Sequence, residues 1–232
     1  MSTSTVDVHT PGHGDGHGHG DDPHHQHHFA TMEQQFDTSK IGMWLFLATE
    51  ILLFGGLFVG FGLMQSKYPH EFFEAHHHLQ RAFGALNTVV LLVSSWTMVM
   101  AVDFAKKGNN KKVVLFLTLT IICACIFLGV KYFEYSHKIH DGLLPAKYYN
   151  PEPGVLPKGN GYATFFSFYF MMTGLHGIHI LGGLGLLSWI LVRARRNEFS
   201  ESYYTPVDLI GLYWHLVDLI WIYLFPLFYL IQ

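Results

Sequence analysis

Charge is what this sequence lacks most. Asp, Glu, Lys and Arg make up 13% of its 232 residues, against 50% hydrophobic and 16% aromatic. That composition excludes a typical soluble domain. Basic residues gather only in short clusters beside apolar runs, so the electrostatic footprint of a nucleic-acid binder is missing and no nucleic-acid partner is expected. The net charge of −3 resides in the tail and loops and carries no functional signal. Cysteine is restricted to Cys123 and Cys125, inside one apolar run. Two residues apart on a helix, they point to different faces and cannot pair with each other. They read as small polarizable packing residues; a copper site on this C-x-C would need further thiolates or imidazoles, and the run has none. No secretory-type signal is expected ahead of the first apolar run, which would act as its own insertion signal.

What the chain does have is five long apolar segments, roughly 41–65, 82–104, 113–135, 162–192 and 209–231. Each reaches the ~20 residues needed to cross ~30 Å of hydrocarbon as a helix. The fourth is long enough to project beyond the hydrocarbon or to tilt. The expected fold is an all-α integral membrane protein, a bundle of five transmembrane helices over residues 39–232. Lys106, Lys107, Lys111 and Lys112 separate spans two and three, and Arg193, Arg195 and Arg196 follow span four. The positive-inside rule puts both loops in the cytoplasm. The N-terminus is then cytoplasmic and the C-terminus outside, in a bacterial-type cytoplasmic membrane. Residues 1–38 interleave His, Gly and Asp (His9, His13, His17, His19, His24, His25, His27, His28). They have too little apolar surface to bury and are expected to be disordered, with weak transition-metal binding chemically open. His76–His78 fall in the first outer loop. The second, around 145–160, is rich in Pro and Gly and long enough to fold over a span end or reach a neighbouring subunit.

Polar residues inside the spans are few, and in hydrocarbon they tend to mark function. Glu50 lies near the middle of span one; it is either packing glue between helices or a functional carboxylate. Asn87 and Thr88 stand near the start of span two, Lys131 and Glu134 near the end of span three. Span four carries His176 and His179, span five His215 and Asp218. Residues three apart share a helix face, so each of those two pairs is expected to point one way. Three readings compete. The first is a bundle-core metal site combining these groups with Glu50, although helical carboxylate sites favour Glu-x-x-His repeats. The second is a cytochrome b-like haem held by His176 and His215. The third is hydrogen bonding across helices that fixes a subunit whose partner does the chemistry; it leads on physical grounds. Gly56 and Gly60 on span one, and Gly174, Gly177, Gly182, Gly183 and Gly185 on span four, are expected to let helix backbones approach. The aromatic side chains of span five (Trp214, Trp221, Tyr223, Phe225, Phe228, Tyr229) read as a lipid-facing or interfacial surface.

In five places, in order over about residues 40–232, the sequence resembles the cytochrome c oxidase subunit III family of the haem–copper oxidases. Lys40-Ile-Gly-Met-Trp-Leu-Phe-Leu-Ala-Thr-Glu50 is similar to the helix bearing that family's carbodiimide-reactive glutamate. Leu86-Asn87-Thr88-Val-Val-Leu-Leu resembles the next helix, and Glu134-Tyr135 with Asp141-Gly142 the end of the one after. Thr173-Gly-Leu-His-Gly-Ile-His179 and Tyr213-Trp-His-Leu-Val-Asp-Leu-Ile-Trp221 resemble its last two motifs. The seven-helix form of the family surrounds a lipid-filled cleft; this chain corresponds to a five-helix form without the first two helices. A separate subunit or an extension of subunit I would supply that pair.

The resemblance implies a non-catalytic subunit that binds neither haem nor copper itself, those groups residing in partner subunits. The implied partners are subunit I directly, subunit II and accessory subunits, and membrane lipids. The complex would reduce oxygen and pump protons, and this subunit would stabilise subunit I, bind structural phospholipid and support proton uptake and oxygen access. Glu50 then corresponds to the buried functional carboxylate. Arg193 resembles a lipid-phosphate ligand. Asn87, Thr88, Glu134, His176, His179, His215 and Asp218 form an internal polar network, with no metal ligand among them. A related quinol oxidase or nitric oxide reductase component is the alternative within the family, and a stand-alone membrane metalloprotein or cytochrome b the alternative outside it.

Overall fold

The structure, a computed structural model, describes residues 32–145, 148–201 and 203–230. The histidines of the N-terminal segment and Lys147 lie outside them. Among the described residues, six α-helices account for nearly all regular structure: α1 (Met32–Lys67), α2 (Pro69–His76), α3 (Arg81–Lys106), α4 (Asn110–His140), α5 (Asn160–Arg195) and α6 (Thr205–Tyr229). All but α2 are long and apolar enough to cross a membrane, which matches the five expected spans and makes the chain an integral membrane protein. At ~1.5 Å per residue, the 36 residues of α5 extend about 54 Å, beyond the hydrocarbon at one or both ends. Helix α1 starts at Met32, so the last seven residues of the segment expected to be disordered (32–38) are helical.

Helices α3, α4, α5 and α6 form a closed ring in which each packs on the next and α6 returns to α3. Helix α1 leans on the outside of the ring, against α5 and α6, and does not pack appreciably on α3 or α4. Its Ile41, Trp44, Leu45, Leu52 and Leu63 are consequently exposed, a face suited to lipid or to another protein. The short α2 begins at Pro69, whose missing N–H costs nothing in a first helical turn, and lays Phe72 against Phe61 and Phe165.

The best-buried helix is α6, and here the structure corrects an expectation. Trp214, Trp221, Phe228 and Tyr229 are fully buried, and only Tyr223 among the large aromatics is mostly exposed. The aromatic side chains of span five fill the ring rather than coat it. Phe127 of α4 meets Trp221 edge-on at 4.9 Å, while Tyr169 of α5 meets Phe228 at 5.5 Å. The glycine expectation also divides. A Cβ on Gly183 would lie 2.6 Å from Trp214 Cζ3, so α5 and α6 touch there only because that side chain is absent. Gly84 is equally tight against Phe225. Gly56, by contrast, faces open space, and Gly60 meets only the ring of Phe168 at 3.4 Å. The G-x-x-x-G of α1 therefore does not hold two helices of this chain together.

The two basic loops lie at one end of the bundle, where Asn110 Nδ2 donates to Phe199 O (2.8 Å). Lys40 and Lys106 both reach Asp208 there, at 3.7 and 3.4 Å. At the opposite end Lys138 Nζ donates to His78 O (2.8 Å), and Tyr162 donates to Glu74. Gly142 turns the chain after α4 with φ 72°, where a Cβ would collide with Asn150 O. The two basic loops thus share one end of the molecule, while Lys138 and Arg81 lie at the other.

Candidate functional site

The intramembrane polar residues separate into local clusters. Glu50 of α1 and His179 of α5 meet at 2.8 Å (Oε2 to Nε2). The other ring nitrogen, Nδ1, lies 2.8 Å from Leu175 O. A carbonyl only accepts, so Nδ1 carries a proton. Nε2 then either accepts from a Glu50 carboxylic acid or donates to its carboxylate. In both arrangements a single proton occupies the contact and the pair as a whole is neutral. Phe54 packs edge-on against His179 at 5.5 Å, and Tyr213 OH of α6 donates to His179 O (2.8 Å). One histidine thus ties α1, α5 and α6 together. Glu50 is less enclosed than expected; its side chain keeps 14% exposure at the open edge of α1.

Glu134 belongs to the second cluster, with a partner the motif reading left aside. Lys131 Nζ donates to Glu134 Oε2 (2.9 Å), Tyr229 OH (2.9 Å) and Tyr169 OH (3.3 Å), which uses all three ammonium protons. Tyr229 OH in turn donates to Glu134 Oε1 (2.6 Å). The ammonium lies 4.7 Å from the centroid of the Trp221 ring, a cation–π contact. This charge pair joins α4, α5 and α6 inside the ring. The i,i+3 spacing of opposite charges was its signal in the sequence; the two tyrosines, remote in the chain, had none.

The third cluster lies between α3 and α6. Ser95 Oγ and His215 Nδ1 are 2.8 Å apart. Asp218, one turn further along α6, is 3% exposed, and neither carboxyl oxygen has a hydrogen-bond partner, although the Ser95 hydroxyl reaches toward it. Three further residues stand apart from these clusters. Thr88 Oγ1 donates to Gly84 O (2.9 Å) and accepts from Trp221 Nε1 (3.1 Å). Asn87 is buried with its amide unpaired. His176 is wholly buried between Phe127 and Trp221, both ring centroids at 5.4 Å, with neither nitrogen bonded. His176 and His179 leave α5 on neighbouring faces, but one enters the ring and the other meets α1. They do not converge. Among the described residues no three His, Cys, Asp or Glu side chains gather at metal-binding distance.

Arg193 ends α5 at the basic end. Its Nε donates to Glu198 Oε2 (2.6 Å), and its guanidinium lies within 4.9 to 5.5 Å of the rings of Trp189, Phe199 and Tyr203. The loop before α6 is held by this arginine. At the opposite end His76 places Nδ1 against Phe73 O and Nε2 3.2 Å from Arg81. Burial pushes its pKa below the ordinary histidine value, with His77 and Arg81 adding to the effect. His78 is lowered as well, by burial and by Lys138.

Five helices able to span a membrane, four of them closed into a ring stitched by hydrogen bonds between helices, define a helical membrane protein. The family model described as cytochrome c oxidase subunit III matches residues 160–232, which hold both the α5 and the α6 motif. Quinol oxidase subunit 3 of Bacillus spizizenii is 29% identical over 209 residues, 87% of this chain and 92% of that protein. The quinol oxidase subunit 3 of Bacillus subtilis is 28% identical over the same shares. The probable cytochrome c oxidase subunit 3 of Nocardia farcinica is 26% identical over 83% of this chain and 88% of that protein. The α5–α6 part of the chain thus matches the cytochrome c oxidase subunit III family model, and most of the chain is similar to oxidase subunits 3.

Proposed function

We propose that this chain is the non-catalytic subunit III of a haem–copper terminal oxidase, a respiratory complex that reduces oxygen and translocates protons. Its partners are then subunit I, subunit II and accessory subunits, with haem and copper in those partners. The observation that carries the reading is similarity to subunits 3 of oxidases along more than four-fifths of the chain. The internal bonding of His179 and His215 supports a scaffold rather than a ligand set. The cytoplasmic membrane of a bacterium is the setting, with the basic end of the bundle and the N-terminus in the cytoplasm.

Glu50 is proposed as the functional carboxylate. It shares one proton with His179, whose ring packs on Phe54, and Phe54 in turn lines a ~360 Å³ apolar cavity between α1 and α6 with Phe58, Leu216 and Tyr223 among others. That position suits contact with lipid and the route by which oxygen approaches a neighbouring subunit. Arg193 is proposed to meet lipid headgroups with the part of its guanidinium that Glu198 leaves open. A quinol oxidase is favoured over a cytochrome c oxidase as the parent complex by the names of the two Bacillus relatives. Affinity purification of the tagged chain from its native membrane is the test. Co-purification with a haem-bearing subunit I is expected, and a dinuclear copper domain in subunit II would reassign the donor to cytochrome c. Recovery of the chain without any haem protein would refute the reading.

A further inference from the structure

The arm made of α1 and α2 joins α3 through the turn 77–80, since neither helix of the arm packs appreciably on α3. Two cations pin this turn from the ring side. Arg81, the first residue of α3, donates to His76 Nε2 (3.2 Å), and Lys138 of α4 donates to His78 O (2.8 Å). The backbone adds Leu79 N–H to His76 O (3.0 Å) and Phe83 N–H to Gln80 O (3.1 Å).

An ammonium and a guanidinium only donate, so each needs an acceptor. Lys138 has a carbonyl, which accepts at any pH. Arg81 has an imidazole nitrogen, and the other nitrogen of that ring, Nδ1, faces Phe73 O and so carries the proton. Nε2 therefore offers a lone pair only while the ring is neutral. A second proton would set an N–H against the guanidinium. It would also charge a ring that is wholly buried beside the rings of Phe73 and His77, at 5.2 and 4.0 Å.

The charged and titratable groups facing His76 are Arg81 from α3 and His77 from its own turn, and both oppose charge on the ring. The acids of α2 are engaged with α5: Glu74 accepts from Tyr162, and Glu71 lies against Gly161. From α4, Lys138 bonds the turn and Asp141 pairs with His137. Among the described residues the histidine–carboxylate pairs are at His137 and His179, not at His76.

We propose that His76 and Arg81 form an acid-released latch: the neutral ring clasps the end of α2 to the start of α3, and a proton on Nε2 undoes the clasp and frees the turn. The latch lies at the end of the bundle opposite the basic loops. In the orientation proposed above that end faces outward, the side that a proton-translocating oxidase acidifies; this setting rests on that reading, and the chemistry of the latch does not.

Amide hydrogen exchange of residues 77–84 tests it, in the full chain within the complex it purifies in, reconstituted in lipid nanodiscs at pH 7.5 and 5.5. Each rate is divided by the intrinsic rate at its pH to give protection. One histidine that titrates near pH 6.5 when released can raise the open fraction by at most about tenfold over this interval. The wild type should lose protection several-fold, within that limit, while α5 keeps its own. His76→Gln retains an acceptor for Arg81 and cannot titrate, so its protection should not respond to pH. His77→Gln, at the exposed neighbouring position, should behave as the wild type. Arg81→Glu should reverse the response, because an imidazolium then gains a carboxylate and acid tightens the turn. Wild-type protection independent of pH overturns the proposal. So does an acid loss that persists in His76→Gln, or one of unchanged sign in Arg81→Glu. The readout is a peptide of this chain whatever haem proteins accompany it, so the latch and the oxidase reading fail separately.

Discussion

Lys131 and Glu134 make the sharpest stability prediction. Lys131→Met leaves the Glu134 carboxyl buried with only the Tyr229 hydroxyl, and Glu134→Gln leaves the Lys131 ammonium buried without a counter-charge, with a neutral amide oxygen, two phenols and the Trp221 face around it. Breaking a buried pair by removing one partner costs about 3–5 kcal/mol, which shifts the folding equilibrium by more than about a hundredfold. The double variant Lys131→Met/Glu134→Gln removes both charges. It leaves an amide oxygen to accept from Tyr229 and a flexible apolar chain to fill the place of the lysine. A charge-free replacement of similar volume is often neutral or stabilising by about 1–4 kcal/mol. The double variant should therefore recover most of what either single loses. Reversible unfolding of the separated chain in mixed micelles measures all four members of the cycle. Single variants costing less than about 1 kcal/mol, or a double variant as unstable as the worse single, would refute the claim that this pair is sealed and mutually dependent.

Other outcomes follow from the same geometry. Gly183→Ala should destabilise by about 1–3 kcal/mol through overpacking against Trp214, whereas Gly56→Ala in the separated chain should stay within about 1 kcal/mol of wild type; thermal unfolding compares them. Glu50→Gln can still bond His179, while Glu50→Ala strands a ring nitrogen and should cost about 1–3 kcal/mol; a Gln variant as unstable as the Ala variant would mean that the contact needs charge. His76 has a folded pKa below its unfolded value, so the unfolded state binds more protons between the two. Its contribution to stability is complete above about pH 6.5 and is lost as pH falls toward the folded pKa. Melting curves at pH 7.5 and 5.5 should show a smaller acid loss for His76→Gln than for wild type.

Much of the architecture was legible from hydropathy, because a 20-residue apolar run in hydrocarbon has little choice but to be a helix. The spans agree with α1, α3, α4, α5 and α6 to within a few residues at most ends. Helix α2 escaped because its eight residues, although amphipathic with Phe72, Ala75 and His76 on the buried side, are too few to stand out against the spans around them. Burial was the harder quantity. Trp214 and Trp221 had the composition of an interfacial belt, and only the closing of the ring by α6 onto α3 puts them inside. Pairing was harder still. Helical spacing put His176 and His179 on neighbouring faces, but a 60° difference at α5 is enough to send one to Trp221 and the other to Glu50. The family motifs marked Glu50, His179, His215 and Asp218; they gave no hint of Lys131, Ser95, Tyr169 or Tyr229, whose roles depend on contacts between helices far apart in sequence.

The central claim is that this chain holds its neighbours in place and leaves electron transfer to them. The most direct measurement is the absorption spectrum and metal content of the chain purified first within its complex and then separated from it. The complex should show haem bands and oxygen consumption, and the separated chain neither a Soret band nor stoichiometric copper. A haem or copper ion that stays with the separated polypeptide would contradict the account.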